Sequence, residues 1–375
     1  MKLQSMHNTN SGGQTEHFRG WILPVITCFV FYCSPGLAVD FPEPGPPKID
    51  REIPAEARQP SFLTLETPYV EWKFHKSADN THPDGNEQQF MWLMNRARAN
   101  PTLEGHWLAT LDDPFVADSR DFFAVDLQLL QDEFAAYGPK PPAAFDIRLY
   151  TAAYEHSLYL ITIDDQNHEG QFDRVDNSGF VYITARGNVF SYTQTPVHGH
   201  AAFNIDWGYS IDNSGMQDGR GHRMAVMSID GDYSNVGIAA VPVSDTGKEV
   251  GPLVVTGNYC SANTSLPDHH NRFLVGTVWK DRNNNSLYDP GEGAGGITVM
   301  PDHGSYYAVT GSSGGYAVPI LAAGTYRVTF SGREIPPGSD LTATIGNVSV
   351  LLDYTFPEVS QPPSAMPWLH LLLRN

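Results

Sequence analysis

Two short stretches decide the fold: LYTAAYEHS at residues 149–157 and GRGHRM at residues 219–224. The first is typical of a helix, and a strand pattern, NVGIA, follows the second at residues 235–239. Each stretch contains one histidine, His156 or His222. Because imidazole binds metal ions and transfers protons near neutral pH, these two residues are the first candidates for a functional site.

Three further motifs accompany this pair: NRARANP at 95–101, PPAAFDIRL at 141–149 and NHEG at 167–170. Together with the two histidine stretches they resemble the bacterial branch of the CAP superfamily (cysteine-rich secretory proteins, antigen 5 and pathogenesis-related 1), also called the SCP domain. The resemblance covers residues 82–262. It implies a three-layer α-β-α sandwich with two histidines at the mouth of one cleft.

The resemblance also implies a set of cleft residues, because two histidines and two acidic residues converge in this family and sometimes hold a divalent metal. His156 and His222 match the histidines, and Asn188 matches the asparagine of the family's Gly-Glu-Asn segment. Asp206 is the nearest candidate for the second acid, but Gly187 stands where the family has glutamate. Such a set makes a poor closed zinc site, so we expect at most an open, weak site for zinc or another divalent metal.

Other reactive residue types give weaker signals. We expect His168 to order the loop after the second helix through hydrogen bonds to its neighbours. His198 and His200 could pair in an extended segment, but a solvated loop is the prediction, and Cys260 is predicted to be a buried thiol. The chain has no zinc-protease or phosphate-loop motif, so an enzymatic function depends on the cleft and a non-enzymatic one is favoured.

Residues 272–357 contain short apolar stretches separated by glycine-rich turns, which predict a β-sandwich. The motifs GTVWKDRNNN at 276–285, SSGGYAV at 312–318 and AGTYRV at 323–328 resemble the B-type, transthyretin-like repeats of Gram-positive serine-aspartate-repeat surface adhesins. The predicted fold class is therefore α+β, with a CAP sandwich followed by an all-β transthyretin-like sandwich.

One loop of this second domain, DRNNNSLYDPGE at residues 281–292, carries oxygen donors at alternate positions. The donors are Asp281, Asn283, Asn285, the backbone carbonyl of Leu287, Asp289 and Glu292. This spacing lets a tight loop surround a hard cation, with a bidentate glutamate at the last position, so the sequence predicts calcium. Ser286 replaces the glycine of helix-loop-helix calcium sites, which agrees with a loop between strands.

Three segments lie outside these two domains. Residues 1–38 are predicted to be a secretory signal, because basic residues precede an apolar run and small residues precede Val39. The proline-rich residues 39–81 are predicted to be an extended linker. For the tail, residues 358–375, packing on the sandwich, a secretion address and partner binding all remain open, and it is too short to span a membrane.

The net charge of −19 argues against nucleic acid or an anionic membrane as a partner. We expect a secreted, monomeric protein with no integral membrane span. Its CAP cleft would bind a lipid, a peptide or a cell-surface ligand, and the calcium-stiffened sandwich would act as a spacer. Two alternatives remain: an adhesion or matrix protein in which the CAP domain is only a scaffold, and a metal-assisted hydrolase of peptides or cell wall.

Overall fold

The computed structural model describes residues 46–52 and 66–356, and these form a mixed fold of helices and sheets. The predicted signal and tail lie outside the described residues, as do parts of the predicted linker. Within the described part of the chain, none of the helices is long and apolar enough to cross a membrane.

The helices follow one another along the first two thirds of the chain. They are α1 (Gly85–Ala99), α2 (Pro101–Thr110), α3 (Pro114–Phe123), α4 (Leu127–Ala135), α5 (Ile147–Ile163), α6 (Gln171–Asn177), α7 (Pro196–Ile205) and α8 (Gly221–Val226). Helix α1 ends within the NRARANP motif, and α3 and α4 lie between that motif and the one at 141–149.

The strands form three sheets. They are β1 (Lys48–Asp50), β2 (Val70–Glu71), β3 (Ala144–Phe145), β4 (Tyr182–Thr193), β5 (Asn235–Pro242), β6 (Leu253–Ala262), β7 (Phe273–Trp279), β8 (Thr298–Pro301), β9 (Tyr306–Val309), β10 (Gly315–Pro319), β11 (Gly324–Ser331), β12 (Asp340–Ile345), β13 (Val350–Leu351) and β14 (Tyr354–Thr355). The orders are β1-β4-β6-β5-β3 for the first sheet, β10-β7-β13 with β14 beside β7 for the second, and β12-β11-β8-β9-β2 for the third.

The first sheet carries helix α5 across strands β5 and β6. The carboxylate of Asp146 caps this helix by accepting a hydrogen bond from the backbone N–H of Arg148 (2.9 Å). The helix approaches the sheet so closely that a Cβ at Gly237 would lie 2.1 Å from the backbone nitrogen of Tyr150. Glycine is therefore required at this point of β5.

Two segments of the predicted linker are structured, and this corrects the sequence-based boundary. Strand β1 pairs antiparallel with β4, and β2 pairs in parallel with β9. Trp72 is buried against Phe273 and Tyr306 of the C-terminal part. Proline-rich composition predicted an extended backbone, but extended segments can also complete the edges of sheets, and composition does not reveal that pairing.

Helix α1 joins the helical part to the C-terminal sheets. The side-chain amide of Gln88 donates to Oγ1 of Thr277 (2.9 Å), and that of Gln89 donates to the carbonyl of Tyr288 (2.9 Å) and to Oδ1 of Asp289 (2.9 Å). Between α1 and strands β7 and β10 lies a recess of about 350 Å³.

A buried carboxyl group, that of Asp353, lines this recess. It accepts a hydrogen bond from the backbone N–H of Thr277 (2.7 Å) and interacts with the indole of Trp92. Burial raises the pKa of Asp353 to about 6, because the ionised form loses its hydration.

The raised pKa predicts a pH-dependent stability. In the folded chain Asp353 keeps its proton up to about pH 6, whereas in the unfolded chain it releases the proton near the ordinary pKa of an aspartate, about 4. The stabilisation from this proton is therefore full below about pH 4 and is lost as pH rises through about 6. The full difference is about 3 kcal/mol. Denaturant unfolding across this range should show a pH slope that is reduced in Asp353→Asn. The exposed Asp232→Asn serves as the control, and an unchanged slope in Asp353→Asn would contradict the assignment.

Candidate functional site

His222 and Asp206 form a buried pair. His222 lies at the start of α8, and its Nδ1 donates to Oδ1 of Asp206 (2.7 Å) while its backbone N–H donates to Oδ2 (3.0 Å). Asp206 ends α7 in a left-handed conformation (φ 58°), which turns its carboxylate toward α8. The structure therefore brings these two predicted residues together, with Asp206 in the orienting role that carboxylates often have beside histidine.

Asn188 belongs to the same network. It lies in β4, is fully buried, and donates from Nδ2 to the backbone carbonyl of His222 (3.0 Å). The ring of Phe203 stacks against His222 (5.9 Å between centroids). Three of the four predicted cleft residues are thus held in one buried cluster.

The fourth, His156, has a different place. Its side chain is fully buried, Nε2 donates to the carbonyl of Asn167 (3.0 Å), and Nδ1 lies 3.3 Å from the guanidinium of Arg174. Burial lowers the pKa of His156 to about 4, and the charges of Arg174 and His168 assist it. His156 is therefore a neutral ring inside the fold and not at a cleft mouth, which corrects the expectation, but it lies within electrostatic reach of His168.

His168 is the histidine that lies near His222. Burial, with repulsion from His222, lowers the pKa of His168, which places the two rings within electrostatic reach of each other. Nδ1 of His168 bonds to Oε1 of Gln171 (2.6 Å), so His168 also orders its loop as predicted.

Gln171 packs against Gly187, the position at which the CAP resemblance implies a glutamate. A Cβ at Gly187 would come within 2.5 Å of Nε2 of Gln171, and this amide donates to Oδ1 of Asn258 (2.9 Å). Gln171 is fully buried at the start of α6. The space beside position 187 is therefore filled by a neutral amide.

The number of donors, rather than their hydrogen bonds, limits a metal site at this cluster. Asp206 engages Nδ1 of His222, and Gln171 engages Nδ1 of His168, an arrangement that histidines binding a metal through Nε2 also have. Across residues 46–52 and 66–356, no group of three or more His, Cys, Asp or Glu side chains is arranged to hold one metal ion. We therefore derive no metal chemistry at this cluster.

The predicted solvated loop around His198 and His200 is instead helix α7, and both histidines are buried. His200 bonds from Nε2 to Oε1 of Glu104 (2.8 Å). Thr195 caps the helix and Pro196 is its first residue, a combination that commonly begins a helix.

A serine–histidine contact also occurs at α7, between Oγ of Ser119 and Nε2 of His198 (3.2 Å). Nδ1 of His198 accepts a hydrogen bond from the backbone N–H of Gln194 (3.1 Å), so the ring proton lies on Nε2. With its proton on that side, His198 cannot remove one from Ser119. Cys260 is likewise unsuited to catalysis, because burial raises the pKa of its thiol well above the ordinary value.

The predicted calcium loop folds around its own polar side chains. Oδ2 of Asp289 accepts from the amides of Asn283 and Asn285 (2.7 Å each), and Oδ1 of Asp281 accepts from the backbone N–H of Asn285 (3.2 Å). Ser286 adopts a left-handed backbone (φ 62°), so the chain turns where other calcium loops use glycine. Asp281, Asn283, Asn285 and Asp289 are thereby gathered on one side of the loop.

Glu292 has a different role from the predicted one. Its Oε1 accepts from the backbone N–H of Arg282 (2.8 Å), and its Oε2 accepts from that of Asp289 (3.0 Å). The side chain is buried and closes the base of the loop. The spacing of residues in the sequence predicts that Glu292 ends the loop, but it does not show that its carboxylate oxygens accept hydrogen bonds from backbone N–H groups.

Sequence reasoning missed Gln171 and Gln89. Gln171 follows the NHEG motif directly, but only the structure shows that its amide lies against Gly187. Gln89 lies in α1, and no pattern in the sequence indicated that it contacts the loop at 281–292. The glycine at position 187, where the resemblance implies glutamate, was the one available signal for Gln171.

No protein-family profile matches this chain, and no curated protein matches it in a sequence search. The roles of the residues above therefore depend on the geometry described here.

The contact between Gly187 and Gln171 is testable. We expect Gly187→Ala to destabilise the fold by about 1–3 kcal/mol, because its Cβ overlaps a buried, hydrogen-bonded amide. In a double-mutant cycle, part of that loss should be recovered in the Gln171→Ala background, with a coupling of about 1 kcal/mol. Urea unfolding measures each variant.

The matched control is Gly138→Ala, since a Cβ at Gly138 meets open space. If Gly187→Ala and Gly138→Ala are equally stable, Gln171 does not fill the site.

Proposed function

We propose that this chain is a secreted, non-catalytic scaffold protein in which a CAP-like domain at 82–262 is joined to a calcium-stabilised, transthyretin-like module at 272–357. The motifs of the sequence support both domain assignments, and the signal-like residues 1–38 support secretion. The mixed architecture, with helices packed on one sheet and two further sheets after it, agrees with this arrangement.

One observation carries the non-catalytic part of the proposal: the residues matched to the CAP cleft are engaged in internal hydrogen bonds. Asp206 and Asn188 both bind His222, and the amide of Gln171 packs against Gly187, the position matched to the family's glutamate. A hydrolase needs a general base or an open metal position facing the substrate. His222 is oriented by Asp206 as a base would be, but it is only 7% exposed and offers little surface to a substrate, so the scaffold function is favoured over the metal-assisted hydrolase.

The same network argues against a ligand held by the two predicted histidines. His156 is fully buried, and His222 is 7% exposed. A lipid or peptide seated between them would have to break several internal hydrogen bonds, each of which costs free energy when a buried group loses its partner. The proposal therefore assigns the histidines to the stability of the domain.

Calcium is the cation proposed for the loop at 281–292. The loop offers the carboxylates of Asp281 and Asp289, the amide oxygens of Asn283 and Asn285, and the carbonyl of Leu287, while Glu292 closes its base. An all-oxygen set of this kind suits a hard cation and is unsuited to zinc. Bound calcium would neutralise the two carboxylates and cross-link the loop. Because Asp289 also binds Gln89, the same ion would stiffen the contact with α1.

Calcium should raise the stability of the full chain by about 2.7 kcal/mol when its concentration is a hundred times the Kd, since only the folded loop binds it. Thermal unfolding in calcium against a chelator should show this shift. Asp281→Ala/Asp289→Ala should abolish it, and the exposed Asp245→Asn should retain it.

An identical unfolding temperature of the parent chain with calcium and with chelator would refute the calcium proposal. A shift of equal size in Asp281→Ala/Asp289→Ala would show that calcium binds elsewhere. The scaffold function is tested separately with His156→Ala/His222→Ala, which should lower stability but leave binding to cells unchanged.

A further inference from the structure

The most exposed apolar side chains of the helical part lie at one corner. Phe122 at the end of α3 is 72% exposed, and Tyr209 and Ile211 in the loop after α7 are 83% and 90% exposed. Phe123 links them, because its ring packs edge-to-face against Phe122 (5.0 Å) and Tyr209 (6.1 Å). These four residues are called the aromatic corner below.

The backbone beneath the aromatic corner is firmly held. The backbone N–H of Gly208 donates to the carbonyl of Gly215 (3.0 Å), which closes the loop at its base. The N–H of Asp126 donates to the carbonyl of Ser214 (2.8 Å), and this bond ties the loop to the start of α4. The backbone N–H of Ile211 lies 3.3 Å from the carboxylate of Asp218. Apolar side chains on such a fixed loop lose little entropy when a partner covers them.

The exposed charges around the aromatic corner are acidic. Exposed carboxylates in the described segments 118–126 and 208–219 are those of Asp118, Asp121, Asp126, Asp212 and Asp218. Two nearby arginines are directed inward. Arg120 is half-buried and its guanidinium donates to the carbonyls of Leu108 (2.7 Å) and Leu111 (2.9 Å), and Arg220 is buried and lies 3.8 Å from the carboxylate of Asp212, whose charge it partly offsets. The aromatic corner therefore presents apolar rings within a negative field.

We infer that the aromatic corner docks a basic polypeptide segment of a partner protein, one that presents Lys or Arg side chains beside apolar ones. Clustered exposed aromatics are typical of interaction sites, and aromatic residues dominate binding energy at interfaces. The aspartates would attract and orient the cationic groups. They also repel an anionic membrane and a second, equally acidic copy of this chain. The aromatic corner is separate from the calcium loop, so this inference is independent of the proposed function.

The test uses the full chain and three labelled synthetic peptides, followed by fluorescence anisotropy. The peptides alternate Lys with Phe, Glu with Phe, or Lys with Ser. We expect the Lys/Phe peptide to bind at least about tenfold more tightly than either of the others, with an affinity that falls as salt rises. Phe122→Ser/Tyr209→Ser should weaken this binding about tenfold or more, because both substitutions remove exposed ring surface.

Two variants serve as comparisons. Tyr69→Ser removes an aromatic that is 77% exposed outside the aromatic corner and should bind the Lys/Phe peptide as the parent does. Asp118→Asn/Asp121→Asn keeps the rings and should lower the affinity while flattening its salt dependence. Each variant is first checked for an unchanged unfolding temperature.

The inference is overturned if Phe122→Ser/Tyr209→Ser and Tyr69→Ser bind the Lys/Phe peptide equally, or if the Glu/Phe peptide binds as tightly. It is also overturned if the parent chain binds none of the peptides but uses the aromatic corner for another contact. That contact would be binding to phosphatidylserine vesicles, or a dimer seen by light scattering, that is lost in Phe122→Ser/Tyr209→Ser.

Discussion

The burial of helix α1 on two opposite sides is the constraint on which the rest of this structure depends. One side, with Phe90 and Met94, packs into the core formed with α5 and the first sheet. The other side carries Gln88 and Gln89 to the C-terminal sheets and to the loop at 281–292. Because one rigid helix serves both interfaces, the two parts of the chain do not depend on a flexible linker for their connection.

The buried network around His222 is likewise a consequence of burial. Polar groups in a protein interior must find partners or lose the free energy of their hydration, and here Asp206 and Asn188 supply them. Gln171 completes the packing beside Gly187, and its amide donates to Asn258. These hydrogen bonds stabilise the folded chain.

Sequence patterns predicted the elements of this fold better than their contacts. The helix pattern at 149–157 and the strand pattern at 235–239 are local signals, and both were predicted. The burial of Gln89 and the position of His156 depend on residues distant in the chain, which periodicity does not show. Local spacing also placed the loop at 281–292, but only the tertiary structure shows that Glu292 binds backbone N–H groups.

We propose that α1 and the loop at 281–292 form one cooperatively unfolding unit that bound calcium stabilises. Hydrogen exchange of the full chain, compared in calcium and in chelator, tests it most directly. The account predicts that calcium slows exchange both in the loop and in the amides of α1, because Gln89 contacts Tyr288 and Asp289. Protection confined to the loop, or no change in either element, would contradict it.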